Sequence, residues 1–218
     1  MSKKILITGA TGMVGHFVLQ ELLDHDDVST IISITRRNTE ITHSKLIEII
    51  HDDFLDFSSL DEQLSNIDVC IYCLGVYQGQ VPKDKFYEIT CDYQKALVER
   101  LEQTSPNLTF VLFGANGAKQ EGSKVLFADA KGKAEKQLMQ SCFPKKYILR
   151  AAYIHPTGNR RPAGLVYDIF IPIMNFIFPL MPFIGTTDHD LARALVNIGL
   201  DGTSPSRVLE ISEIKEYV

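Results

Sequence analysis

Short aliphatic runs alternate with helical periodicities along the first 155 residues. The runs KKILIT (3–8), TIISIT (30–35), KLIEII (45–50), DVCIYCLG (68–75), NLTFVLFG (107–114) and KYILRAAYI (146–154) are rich in branched residues. That is the pattern of strands buried on both faces of a parallel sheet. Between them, MVGHFVLQELLDH (13–25), SSLDEQL (58–64), KFYEITCDYQKALVERLEQ (85–103) and ADAKGKAEKQLMQS (128–141) read as helices, the second opened by Ser58 or Ser59 as N-cap. Strand–helix alternation predicts an α/β fold with a doubly wound parallel sheet. After about residue 155, Pro and Gly become frequent, so residues 1–155 are expected to form the core and 156–218 a small C-terminal lobe completing the same single domain.

Composition narrows the class. With 45% apolar residues in 218, the chain can bury a substantial core. The 22 basic and 27 acidic side chains give a net charge of −5, so no global field recruits nucleic acid. Only three aliphatic residues separate the N-terminal lysines from Thr8, too few for a secretory signal; a cytoplasmic location is expected. Cys70 and Cys73 lie in a strand run, where an offset of three points them to opposite faces. They read as apolar filler in a reducing compartment, and no metal site is expected.

The first strand runs into ITGATGMVG, with glycines at 9, 12 and 15 before an amphipathic helix. The first glycine turns the chain, the second admits a pyrophosphate to bare backbone, and the third lets helix and strand pack closely: the Rossmann dinucleotide fingerprint. Gly9, Ala10, Thr11, Gly12, Met13, Val14 and Gly15 are therefore candidate cofactor contacts, with phosphate on the helix N-terminus. Where an NAD site places an acid on the ribose, this chain has Arg36 and Arg37 after Thr35. Guanidinium groups match a 2′-phosphate, which favours NADP over NAD. Asp53 and Phe54 in HDDFLD are placed to meet the adenine amino group and ring face; a plain acidic loop is the alternative.

TGATGMVG, the TRR after the second strand, CLG at 73–75, YEITCDYQKALVERL, VLFGANGAK, LRAAYIHPTGNRRP and TTDHDLARALVNIGL, in this order, resemble the atypical and extended short-chain dehydrogenase/reductases of the NAD-dependent epimerase/dehydratase type. The similarity is to the subgroup holding the Tat-interacting oxidoreductase-like and NmrA-like proteins. It implies that Cys73, Leu74, Gly75, Ala152 and Tyr153 also border the cofactor, and that helices at 84–103 and 127–141 are the ones that pair in homodimers.

Where the family carries Tyr-x-x-x-Lys, this chain has Phe127 and Lys131, and the family's serine after the fifth strand is matched by Gly114 or Ala115. A phenyl ring moves no proton, and neither Gly nor Ala offers a hydroxyl. Lys131 keeps the part of the motif that holds the nicotinamide ribose, or is a solvated lysine beside Lys133. Tyr77 and Tyr153 are the candidate substitutes for the missing acid, with Asn116 and His155 as further polar groups near the groove.

The apolar stretch GLVYDIFIPIMNFIFPLMPFIG (164–185) contains Asp168, Asn175 and prolines at 172, 179 and 182, which argue against a membrane span. It reads as a lid or wall for an apolar substrate, a subunit contact or an interfacial membrane attachment. Three functions stay open. One is an NADP-dependent oxidoreductase or epimerase-like enzyme with a relocated acid, acting on a small apolar molecule. Another is an NADP(H) redox sensor that signals to a regulatory protein partner; the third is a membrane-peripheral scaffold.

Overall fold

The computed structural model describes residues 2–158, 174, 178 and 184–218. Strands β1 (Lys3–Thr8), β2 (Val28–Thr35), β3 (Leu46–Ile50), β4 (Val69–Tyr72), β5 (Thr109–Ala115) and β6 (Lys145–Ala151) coincide with the six aliphatic runs. Every neighbouring pair is parallel. The strand order is β3-β2-β1-β4-β5-β6-β9, where β9 (Arg207–Leu209) adds a seventh strand at the edge. The order reverses between β1 and β4, opening a crevice at their carboxyl ends.

Helices cover both faces because alternate strand residues point to opposite sides. Ile5, Ile7, Val69 and Ile71 pack against Val18, Leu19 and Leu22 of α1 (Met13–Asp24) and Leu191, Leu195 and Ile198 of α5 (Asp188–Asp201). Leu6, Cys70 and Tyr72 face Leu97 and Leu101 of α3 (Tyr93–Thr104) and Leu138 of α4 (Leu126–Gln140). Cys70 thus belongs to one layer, and Cys73 packs against the other.

Three local features differ from the sequence expectation. The short helix at 58–64 is a single 3-10 turn, Ser58–Leu60. Asp56 Oδ1 accepts from the Ser58 amide at 2.8 Å, so the aspartate, not a serine, organises that start. The helix expected over 85–103 begins as α2 (Lys83–Tyr87) and passes through a π turn, Glu88–Asp92, before α3. The run at 146–154 breaks at Ala152: β6 stays in the main sheet, while β7 (Tyr153–His155) pairs with β8 (Gly185–Thr187).

Beyond residue 155, α5 lies against α1 and β9 joins the main sheet, followed by α6 (Ile211–Ile214). Thr187 Oγ1 caps α5 by accepting from the Asp190 amide at 2.9 Å. Buried Asp188 accepts from Thr157 N (3.0 Å) and Thr157 Oγ1 (2.6 Å), tying the chain after β7 to the start of α5. Most of the apolar stretch at 164–185 lies outside the described residues. Among the described residues, no helix is long and apolar enough to cross a membrane.

Candidate functional site

Gly9 follows β1 with φ +78°, and a Cβ there would stand 2.6 Å from the Cys73 carbonyl, so the turn lies directly on the chain leaving β4. Gly12 donates its N–H to Gly9 O at 2.9 Å and caps α1 without a side-chain acceptor. A Cβ on Gly15 would lie 2.2 Å from Gly9 O, which presses the helix start onto the turn. The first-turn amides of α1 and its dipole then face the crevice, an arrangement suited to an anion.

A cavity of about 620 Å³ opens there. Gly12, Met13, Val14 and Gly15 line one end. Cys73, Leu74, Gly75, Val76 and Tyr77 after β4, Phe113–Ala115 of β5 with Asn116 just beyond it, and Phe127 and Lys131 of α4 continue the wall to Ala151, Ala152 and Ile154. Gly9, Ala10 and Thr11 form the turn beneath it. Arg36 and Arg37 are exposed after β2, the strand beside β1. Thr35 Oγ1 donates to Arg37 O at 2.7 Å and shapes that bend. The residues fit a dinucleotide: a turn with no room for a side chain at Gly9 or Gly15, a helix N-terminus without a side-chain cap, and cations one strand away.

Two expected contacts are placed elsewhere. Phe54 is 2% exposed, its ring stacked on Tyr93 at 5.6 Å and edge-on to Phe57. Burying that ring in an aromatic cluster outweighs leaving a face free for adenine. Only Asp53 stays at the surface, its Oδ1 accepting from Leu55 N at 3.0 Å. Tyr153 is the second correction. Because β7 alternates, Ile154 lines the cavity while Tyr153 packs edge-on against Phe178 at 5.6 Å, with its Oη 3.4 Å from His155 Nδ1. Burial pushes its phenol pKa up.

Phe127 and Lys131 sit one turn apart on α4, both on the cavity wall. The Phe127 ring stacks on Phe86 with centroids 6.5 Å apart. Burial holds the Lys131 ammonium below the usual lysine range, opposed by Cys91 and Glu135. A Cβ on Gly114 would meet Ile148 Cγ2 at 2.8 Å, so that position has no room for a side chain, whereas Ala115 already carries one. Among the described residues, the remaining titratable side chains of the wall are Tyr77 and Cys73, and burial pushes the Cys73 thiol up to about 12. No group of three metal-ligating side chains occurs among the described residues.

Three further wall residues carry no signal in the sequence: Val76, four residues past β4, Phe113 near the end of β5, and Ile154 in the middle of β7. Nor does a small chamber behind Lys131, where the buried Tyr72 Oη, Thr90 Oγ1 and Gln94 Oε1 have no hydrogen-bond partner among the described residues.

The family model for the NAD dependent epimerase/dehydratase family matches residues 5–129, more than half of the chain. The chain belongs to this family. That makes it an NAD(P)-binding Rossmann protein, and the glycine turn falls inside the matched segment. Protein FMP52, mitochondrial, of Meyerozyma guilliermondii is 25% identical over 223 residues, covering 94% of this chain and 90% of the relative. Protein HTATIP2 of Rattus norvegicus is 26% identical over 152 residues, 68% of this chain and 62% of that protein.

Among solved structures, Bordetella bronchiseptica WbmG in complex with NAD superposes with a TM-score of 0.72 at 18% identity, covering 99% of this chain and 76% of that one. UDP-glucuronic acid 4-epimerase from Bacillus cereus in complex with NAD gives 0.70 at 18%, covering 95% and 78%. The mitochondrial designation of FMP52, which recurs in the Emericella nidulans and Aspergillus fumigatus relatives, overturns the cytoplasmic expectation.

Proposed function

We propose that this protein binds NADP(H) in the cavity at the β1–β4 crossover and lacks the acid–base groups of ordinary carbonyl reduction, so that cofactor occupancy, not turnover, is its output. The observation that carries this reading is Phe127: its ring is on the cavity wall one turn before Lys131 and packs on Phe86. Neither Gly114 nor Ala115 supplies a hydroxyl beside it.

The glycine turn and the first turn of α1 would hold the pyrophosphate, and Arg36 and Arg37 the 2′-phosphate. Lys131 would donate to the nicotinamide ribose, as the family resemblance implies. When bound, the nicotinamide supplies a hydride donor or acceptor. Leu74, Val76 and Phe113 keep the neighbouring space apolar, which suits a small apolar molecule or a segment of a regulatory protein.

A second reading, an NADP-dependent oxidoreductase or epimerase-like enzyme, is favoured by Tyr77, a phenol on the wall that is 37% exposed. The two readings part in one experiment. Phe127→Tyr combined with Ala115→Ser restores both hydroxyls, and carbonyl-dependent NADPH oxidation should rise from background in the double variant. An unmodified protein that already turns over, and loses this on Tyr77→Phe, would establish the enzyme instead.

A further inference from the structure

On α4, Lys131 and Glu135 are four residues apart on one face, the spacing at which a lysine and a glutamate ordinarily pair. They do not pair here. Glu135, with its side chain 1% exposed, is gripped by Arg150 of β6, whose Nε lies 3.0 and 3.2 Å from the two carboxylate oxygens and whose Nη2 lies 2.6 Å from Oε2. Gln120 Nε2 adds a bond to Oε2 at 3.1 Å. The carboxylate's lone pairs are largely committed, and a planar fork meeting both oxygens is the strongest form this pairing takes.

Lys131 makes no hydrogen bond or ion pair among the described residues and borders both the large cavity and the small chamber behind it, a chamber that Glu135 also lines. The acid and the ammonium are near enough for Glu135 to act on the lysine through its charge. Burying an ammonium without a counter-ion is costly, and a nearby carboxylate would ordinarily capture it.

The geometry points to Arg150 as a positioning residue: by holding Glu135, it keeps the Lys131 ammonium unpaired and directed to the ligand cavity. This rests on the proposed role of Lys131 in NADP(H) binding. Arg150 touches no ligand in this scheme; its Nη1 also donates to Glu210 Oε1 at 3.1 Å, and its effect on Lys131 runs through Glu135. Removing its guanidinium frees the acid to pair with Lys131, which draws the ammonium from the cavity and raises its pKa. Removing the acid as well releases the lysine again.

The test measures NADPH affinity calorimetrically and the Lys131 pKa by pH-dependent competitive acetylation read by mass spectrometry, with exposed Lys136 as internal standard. Lys131→Met should weaken NADPH binding by roughly tenfold or more, the loss of one charge-assisted bond; unchanged binding would refute the role of Lys131 itself. Arg150→Gln should weaken binding about as much and raise the Lys131 pKa. Arg150→Gln with Glu135→Gln should restore both to near the parent values.

Glu135→Gln alone, which keeps the shape of the Arg150 contact, should leave the affinity within about twofold, and it supplies a test if Arg150→Gln fails to fold. A Lys131 pKa that does not move in Arg150→Gln overturns the proposal. So does a double variant as weak as that single variant, or a marked loss in Glu135→Gln.

Discussion

Valine at Gly12 and alanine at Gly15 should separate ligand binding from folding within one turn. Gly12 has φ −80° and ψ 176°, backbone that any residue adopts, and a Cβ there meets only Gly9 O, at 3.1 Å. A shift of Gly9 O by a few tenths of an ångström accommodates the Cβ of Gly12→Val, whose methyl groups occupy the approach to the first turn of α1. Losing two charge-assisted phosphate bonds at about 1.5 kcal/mol or more each removes at least ~3 kcal/mol, over about 100-fold in affinity.

At Gly15 the added carbon would stand 2.2 Å from Gly9 O and 2.8 Å from its carbonyl carbon, backbone that cannot rotate aside. Overpacking of this kind costs roughly 1–3 kcal/mol, or roughly 2–12 °C in the melting midpoint of a domain this size. Thermal denaturation without cofactor and calorimetric titration with NADPH read the two effects. A Gly12→Val protein that binds NADPH normally, or a Gly15→Ala protein as stable as its parent, would refute the turn geometry.

Replacing Arg36 and Arg37 together by alanine should erase a preference for NADPH over NADH of about tenfold, measured as the ratio of the two affinities and shrinking with added salt. Asp188→Ala strands the Thr157 amide and hydroxyl and the His189 amide, which donates to Asp188 Oδ1 at 3.0 Å. It should cost about 2–4 kcal/mol in urea unfolding, and a loss under ~0.5 kcal/mol would show that the buried carboxylate does not anchor the chain after β7.

The six principal strands and the glycine turn could be read from the sequence because each is local: branched runs of five or more residues, and glycines spaced three apart before an amphipathic helix. β8 and β9 could not, since three residues carry no periodicity and both depend on partners far along the chain. The position of Tyr153 rests on the family resemblance, which does not carry side-chain direction: Ile154 lines the cavity, and Tyr153 packs against Phe178 instead. Phe54 appeared to stand in an acidic surface loop, but Tyr93, thirty-nine positions on, covers it. The Arg150–Glu135 fork left no local trace either, because the two residues are fifteen positions apart and meet only where α4 packs on the sheet beside β6.

The central question is whether bound NADPH is consumed. Its most direct test is to saturate the unmodified protein with NADPH, add aliphatic and aromatic aldehydes and ketones in turn, and follow oxidation of the cofactor. With Phe127 in place of an acid, reduction should run roughly 10²- to 10⁴-fold below an assisted rate while the cofactor stays bound. Rapid oxidation by any of these carbonyls would contradict the account.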